Sequence, residues 1–370
     1  MKVRVVNFRR ALTPALSRFA GEGVRVMGRS GRHLAVSIVL MMVPSRTFAA
    51  ELRTVSVLSY PDRPAKLPLW LARDAGLFKK YGLNVEIKTP DSGEAIAAGA
   101  SKNIADIYVA TANWMVSAVG DGADLVFFAN TGYSVLKLVA RPNITSVGEL
   151  KGKRIGTGEP GSSQDRITRE ALRRLGFNAD KDMTLVPFGS RSVLRLNALL
   201  KGEIDATTSN EDNIFDLERR GEIGKVRVLA DNESLKLFIG AGVDFAVTRS
   251  YLSSSPSAVK GFVQALSEAI ALARRDRAAA DDIYKRYLKV TDSALLDFMY
   301  RTYVQQAIPE RPYPKLDNVA LGIQEFAAKP GLKNKSAATL TDSTLVRELE
   351  QEGFFARLYR QPPEHGVRSE

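Results

Sequence analysis

The sequence predicts an α/β protein with mainly parallel sheets, and three observations carry that expectation. Strand-like and helix-like patterns alternate from Thr54 through Leu229, an order that produces parallel sheets covered by helices. The first strand, helix and strand are each distinct over residues 54–87. Cysteine is absent from all 370 residues, so the fold rests on packing without disulfides, and 45 % hydrophobic residues over that length allow a large core and two domains.

Thr54-Val-Ser-Val-Leu58 is the first strand. Pro68 can open the next helix, because the N–H it lacks would be unpaired there, and Leu71, Ala75 and Phe78 recur at helical spacing. Trp70 on this helix is expected to pack. Gly76 and Gly82 punctuate the chain before Leu83-Asn-Val-Glu-Ile87, whose alternation predicts a strand covered on one face. Ser92 starts a helix pattern that reaches Ala100, and Asn103 to Thr111 reads as a short buried strand. Asn113 to Gly120 is helical, and Ala123 to Asn130 is the next strand. The segments Ser59 to Leu69, Thr111 to Trp114 and Asn130 to Tyr133 are expected as loops at the carboxyl edge, where open α/β sheets bind ligands.

A second α/β run starts near Val135. Ser134 to Ala140 is strand-like, and Ser146 caps a short helix before a strand ending at Gly156. Gly156-Thr-Gly-Glu-Pro-Gly-Ser-Ser163 opens onto a helix from Gln164 to Leu175. Met183 to Pro187 is a strand, Ser190 to Leu200 a helix, Ile204 to Thr208 a strand, and Val226 to Leu229 the last strand of this run. Phe238 to Thr248 is again apolar and strand-like, as expected of a return to the first sheet. Helices follow. Ala258, Phe262, Leu266, Ile270 and Ala273 share one face, Ile283, Tyr287 and Leu288 mark another helix, and Asn318 to Ala328 and Thr344 to Glu352 are further helical segments.

Before Glu51 lie a basic stretch with Arg29 and Arg32, an apolar run from Leu34 to Val43, and the small-residue end Thr47-Phe-Ala-Ala50. That is the layout of a secretory signal peptide, with cleavage expected after Ala49 or Ala50. Met27 is the expected true start, because a signal peptide beginning there is already complete. The formal charge of +12 belongs mostly to this leader: beyond it, 44 basic residues face 40 acidic ones. A net +4 on the body gives no reason to expect nucleic-acid binding.

Four stretches, in order, resemble the solute-binding proteins of ABC importers for nitrate, sulfonates, taurine and pyrimidine precursors. They are Leu69 to Ile87, Leu150-Lys-Gly-Lys-Arg-Ile-Gly156, Leu199-Leu-Lys-Gly-Glu-Ile-Asp-Ala206, and Tyr251 to Val263. The resemblance implies a type II periplasmic-binding-protein fold, two α/β lobes joined by two crossover strands and closing on a ligand. It divides the chain into a leader at 1–50, lobe I at 51–133 and 240–360, lobe II at 134–239, and a tail at 361–370. Hinges are then expected near Tyr133 and Gly240. It also implies a periplasmic monomer that delivers a small anionic or polar organic solute to an ABC permease in the inner membrane.

Candidate ligand contacts follow from the carboxyl edges. Glycines and hydroxyls ahead of a helix expose backbone N–H groups to an anion, which points to Gly158, Gly161, Ser162 and Ser163. Either serine could instead be only the helix cap. Arg191, at the start of the next helix, offers a planar fork of donors for a carboxylate or sulfonate, whereas Arg195 one turn on is expected in solvent. Asn210, beside Ser209 and Asp212, follows the next strand. On the first lobe Tyr60, Thr111, Asn113, Trp114 and Tyr133 supply an aromatic wall with a few polar groups.

Catalysis has little support. The histidines are His33 in the leader and His365 in the tail, so Ser-His and Cys-His pairs and histidine-based zinc sites have no basis in the body. The expectation is a binding protein without cofactor or metal. The rivals are an enzyme like the thiamine pyrimidine synthase, which shares the fold and consumes its own histidine, and a periplasmic sensor that docks on a membrane receptor.

Overall fold

The computed structural model describes residues 51–60, 63–90, 92–133, 135–189, 191–235 and 242–360. The leader, the tail and the expected hinge at Gly240 lie outside the described residues. The strands are β1 (Arg53–Ser59), β2 (Leu83–Lys88), β3 (Ile107–Ala110), β4 (Leu125–Tyr133), β5 (Leu136–Ala140), β6 (Arg154–Thr157), β7 (Thr184–Pro187), β8 (Ala206–Asn210), β9 (Arg227–Asp231) and β10 (Gly242–Thr248).

They form two five-stranded sheets of the same design, β2-β1-β3-β10-β4 and β7-β6-β8-β5-β9. In the first, β1 pairs in parallel with β2 and β3, while β10 runs antiparallel between β3 and β4. In the second, β6 pairs in parallel with β7 and β8, and β5 runs antiparallel between β8 and β9. The mainly parallel expectation therefore meets one exception per sheet. That exception is the strand the chain inserts immediately after crossing from the other sheet.

The opening unit shows how sequence becomes frame. Pro64 begins a 3-10 turn that leads into the helix Leu67–Asp74, with Pro68 in its first turn. Gly76 and Gly82 take φ of +69° and +77°, a left-handed region open to glycine, and so end this helix and the short helix Leu77–Lys80. Trp70 is buried and stacks on Tyr287 with ring centroids 4.7 Å apart. Ala75, expected on the apolar face, is exposed because the helix has already ended there.

The helix Pro256–Arg275 lies over one face of the first sheet. Ala258, Phe262, Leu266, Ile270 and Ala273 on its inner side are 3 % exposed or less. The other face is covered by the helix Ala112–Gly120 through Met115, Val116 and Val119. The second sheet is covered on one face by Ile167, Ala171 and Leu172 and on the other by Leu196, Leu199, Ile214 and Leu217. Asn130 to Tyr133, expected as a loop, instead continue β4. Pairing with β10 extends that far, Gly242 standing opposite Tyr133 and Asp244 opposite Asn130.

Candidate functional site

On the first lobe, Tyr60 leaves β1 and its N–H donates to the Val109 carbonyl at 2.8 Å, which keeps it beside the end of β3. Its own carbonyl accepts from the ammonium of Lys66, a residue only 1 % exposed, and the Arg63 guanidinium lies 4.2 Å above its ring. Tyr60, Arg63, Lys66, Thr111 and Gly242 line one small pocket at the carboxyl edge. Thr111 and Asn113 are buried and hydrogen-bonded to each other, and Asn113, with its amide turned to satisfy both ends, accepts from the Trp114 N–H at 3.2 Å. Trp114 is half-buried and packs tightly on the backbone of Gly93, where a Cβ would come 2.0 Å from the indole nitrogen. Tyr133 is half-buried, and burial raises the pKa of its hydroxyl.

Behind this edge sits Asp244, 2 % exposed, its carboxylate accepting from Asn130 Nδ2 at 2.7 Å, Asn318 Nδ2 at 3.1 Å and the Ala112 N–H at 3.0 Å. Burial raises its pKa from 3.8 to about 6, although these donors pull the other way. Because the folded value lies above the unfolded one, this group destabilises the fold as pH rises from about 3.8 to about 6. Beyond that range its contribution is constant. Urea unfolding of D244N should therefore show a smaller loss of stability between pH 4 and pH 6.5 than wild type; identical slopes would remove Asp244 from this role.

On the second lobe, β6 ends at Thr157 and the chain turns through Gly158 to Ser162 into the helix Ser163–Arg174. A Cβ on Gly158 would lie 2.3 Å from Ser162 Oγ and 2.8 Å from Gln164 Cβ, so only glycine lets the loop close. Gly161 is exposed with φ of +79°. Ser162 is the helix cap, its Oγ accepting from the Asp165 N–H at 3.2 Å. The Asp165 carboxylate turns back into the loop, taking bonds from Thr157 Oγ1 at 2.9 Å, the Gly161 N–H at 3.1 Å and Arg169 Nε at 2.9 Å. The chain's own carboxylate thus answers the positive end of this helix. S162A should cost about 1 kcal/mol in urea unfolding, the usual value of such a cap. Ser163 is the first helical residue.

The arginine that turns inward is Arg195, not Arg191. Arg191 is exposed at the start of the helix Ser192–Leu200. Arg195, expected in solvent, has no exposure at all. Its Nε donates to Thr207 Oγ1 at 3.2 Å, one terminal nitrogen to Gln164 Oε1 at 2.8 Å and the Thr208 carbonyl at 3.2 Å, and the other to the Gly189 carbonyl at 3.3 Å. All four partners are neutral. Burial alone lowers its pKa to about 10, with no carboxylate raising it. The guanidinium reaches the end of β8 and the first turn of the helix that follows β6, which is the carboxyl edge of this sheet.

Two unsatisfied polar atoms follow Thr208 in the chain. Ser209 is fully buried, and its Oγ and the Asn210 Oδ1 have no hydrogen-bond partner among the described residues. Side chains alternate along a strand, so Ser209 lies on the same face of β8 as Thr207, the face Arg195 occupies. Asn210 ends β8 and stands at the N-cap position of the helix Glu211–Arg219 without a capping bond from its side chain. In that helix burial raises Asp212 to about 6, and Tyr303 of the first lobe donates to it at 3.3 Å. Arg166 also crosses between lobes: its guanidinium donates to Asn113 and pairs with Glu325.

The structure therefore joins Tyr60 with Thr111, and Thr111 with Asn113 and Trp114, on one edge. On the other it joins Gly158, Gly161 and Ser162 around Asp165. Arg63, Lys66, Gln164, Arg166 and Arg195 were missed. Arg195 had a signal, since it falls between Ser192, Leu196 and Leu199 on the buried stripe of its helix. Among the described residues no cluster of acidic, histidine or cysteine side chains could hold a metal ion, and no helix is long and apolar enough to cross a membrane.

Two α/β sheets of matching strand order, each holding one antiparallel strand next to a crossover, are the type II periplasmic-binding-protein fold. Within it, the NMT1/THI5-like family matches residues 63–280, more than half the chain, and the chain belongs to that family. Among solved structures it is similar to the alkanesulfonate-binding protein SsuA from Xanthomonas axonopodis pv. citri bound to MOPS, at 20 % identity, covering 80 % of this chain and 100 % of that one with a TM-score of 0.61. It is also similar to the putative periplasmic sulfonate-binding protein SsuA from Methylobacillus flagellatus KT, at 16 % identity, covering 82 % and 97 % with a TM-score of 0.64. The desulfurization enzyme DSZB aligns too, at 18 % identity over 81 % and 99 % with a TM-score of 0.57. No curated protein sequence matches the chain.

Proposed function

We propose that this chain is a periplasmic solute-binding protein that captures a small acid anion between its lobes and delivers it to an ABC permease. The observation that carries the acid is Arg195: a guanidinium with no exposure, four neutral partners and a place at the carboxyl edge of its sheet. A buried charge without a countercharge is costly, and a sulfonate, carboxylate or nitrate arriving at that edge would supply one. Arg63 and Lys66 at the facing edge add positive charge, and Ser209 Oγ is a free donor for an oxyanion.

The secretory leader and the likeness to periplasmic sulfonate-binding proteins support the location and the transport role. In this reading lobe I comprises residues 51–133 and 240–360 and lobe II residues 134–239. Thermal unfolding with ethanesulfonate, taurine, nitrate, benzoate and a neutral pyrimidine tests the reading. At a hundredfold excess over Kd the right solute adds about 2.7 kcal/mol. An acid is expected to raise the midpoint; a response to the pyrimidine alone would overturn the anionic assignment. Turnover of any of these compounds by the purified protein would favour the enzyme reading that the DSZB fold leaves open.

A further inference from the structure

Among the described residues, two sets of contacts hold the lobes together. One adjoins the crossover: in the helix Glu211–Arg219 of the second lobe, Phe215 stacks on Phe298 of the first with centroids 4.3 Å apart. Arg219 continues that seam with an ion pair to Asp292 at 3.2 Å. The second set depends on one side chain. Arg166 stands in the first turn of the helix Ser163–Arg174 on the second lobe. All its cross-lobe partners come from elements packed together on the first: Glu325 as an ion pair, Asn113 as a hydrogen-bond acceptor, and the Phe326 ring 5.9 Å from the guanidinium carbon.

We propose that Arg166 is a latch that holds the lobes closed without any ligand, by pinning the start of the second-lobe helix to Glu325 and Asn113. The inference takes from the proposed function only that the lobes move relative to one another. Two features distinguish the pair from an ordinary surface ion pair, which contributes little. The Arg166 side chain keeps 11 % of its exposure and that of Glu325 21 %, so closure removes both from water. Burial lowers the pKa of Arg166 and raises that of Glu325 to about 7, a desolvation cost that their mutual attraction only partly offsets, so the pair is fully charged above about pH 7. Desolvation on this scale makes each charge depend on the other, so removing one partner leaves the second stranded in the closed form but not in an open, hydrated one.

The latch also uses Asn113, a side chain that the sequence offered as a ligand contact. Asn113 orients Thr111 on one side and accepts from Arg166 on the other. Latch and first-lobe pocket are thus joined through one hydrogen bond, because Asn113 bonds both Arg166 and Thr111, and Thr111 lines that pocket.

The test needs no ligand, so a failed solute screen leaves it intact. Small-angle X-ray scattering would be measured on the purified, ligand-free protein as wild type, R166M, E325Q and R166M/E325Q, with near-UV circular dichroism to confirm that each is folded. Both single variants should have a larger radius of gyration than wild type, and the double variant should exceed neither. E325Q is nearly isosteric and keeps the test decisive if R166M fails to fold. Variant profiles that superimpose on wild type, or a double variant whose increase is the sum of the two singles, would overturn the latch.

Discussion

R195M should weaken binding of the acid solute by roughly 10- to 100-fold, with the fold retained. A hydrogen bond to a charged group contributes about 1.5–3 kcal/mol, and each 1.4 kcal/mol is tenfold in Kd. Methionine keeps length and apolar bulk but brings no donor. R195K should recover only part of the loss, because a lysine ammonium keeps the charge without the planar fork that reaches Thr207, Gln164 and Thr208 together. Stability should change less than affinity. The variant frees Gln164 Oε1 and the Thr208 carbonyl from their donor, which is unfavourable, and removes a buried charge that has only neutral partners, which is favourable. Isothermal titration with the solute identified by thermal shift would read the affinity, and an unchanged Kd in R195M would detach the ligand's acid from this arginine.

F262A should be the most destabilising simple truncation, at about 3–5 kcal/mol. Phe262 has no exposure and sits where the helix Pro256–Arg275 meets the first sheet. Its ring centroid lies 4.8 Å from Phe78, 6.0 Å from Phe245 and 6.3 Å from Phe128, so one side chain ties the opening helical unit, β10 and β4 to the long helix. Alanine would leave a cavity bounded by three other rings, which cannot collapse together without moving three elements. F262L, which fills much of the space, should cost considerably less. Urea unfolding at constant slope reads both, and a loss below 1 kcal/mol for F262A would show that the site repacks.

The frame was legible because burial and periodicity coincide in it. Leu58, Phe78, Ile107, Leu138, Ile155 and Phe262 are buried where the patterns expected them. Asn130 to Tyr133 read as loop because Asn, Thr and Gly are turn residues, yet β10 pairs with them, and a strand from more than a hundred residues later in the chain leaves no local trace. The site was less legible for a related reason. Arg195 sits on an apolar stripe, but arginine on a helix ordinarily reads as surface, and its acceptors at Gln164, Gly189 and Thr207 meet only in the folded edge. Arg166 depends on Glu325, 159 positions away, so nothing near either residue announces the pair. The loop before Ser163 was visible as a helix entrance; that Asp165 would fill it from within was not.

The placement of β10 also dictates the order in which the molecule can be completed. During synthesis β3 and β4 are both made early, yet they share no edge until Gly242–Thr248 emerges to lie between them. The second sheet uses only residues 136–231 and has all its strands first. The nascent first lobe must therefore wait with two unpaired strand edges while the second is finished, and edges of that kind invite wrong partners. The lobe that begins the chain is the last to close its sheet.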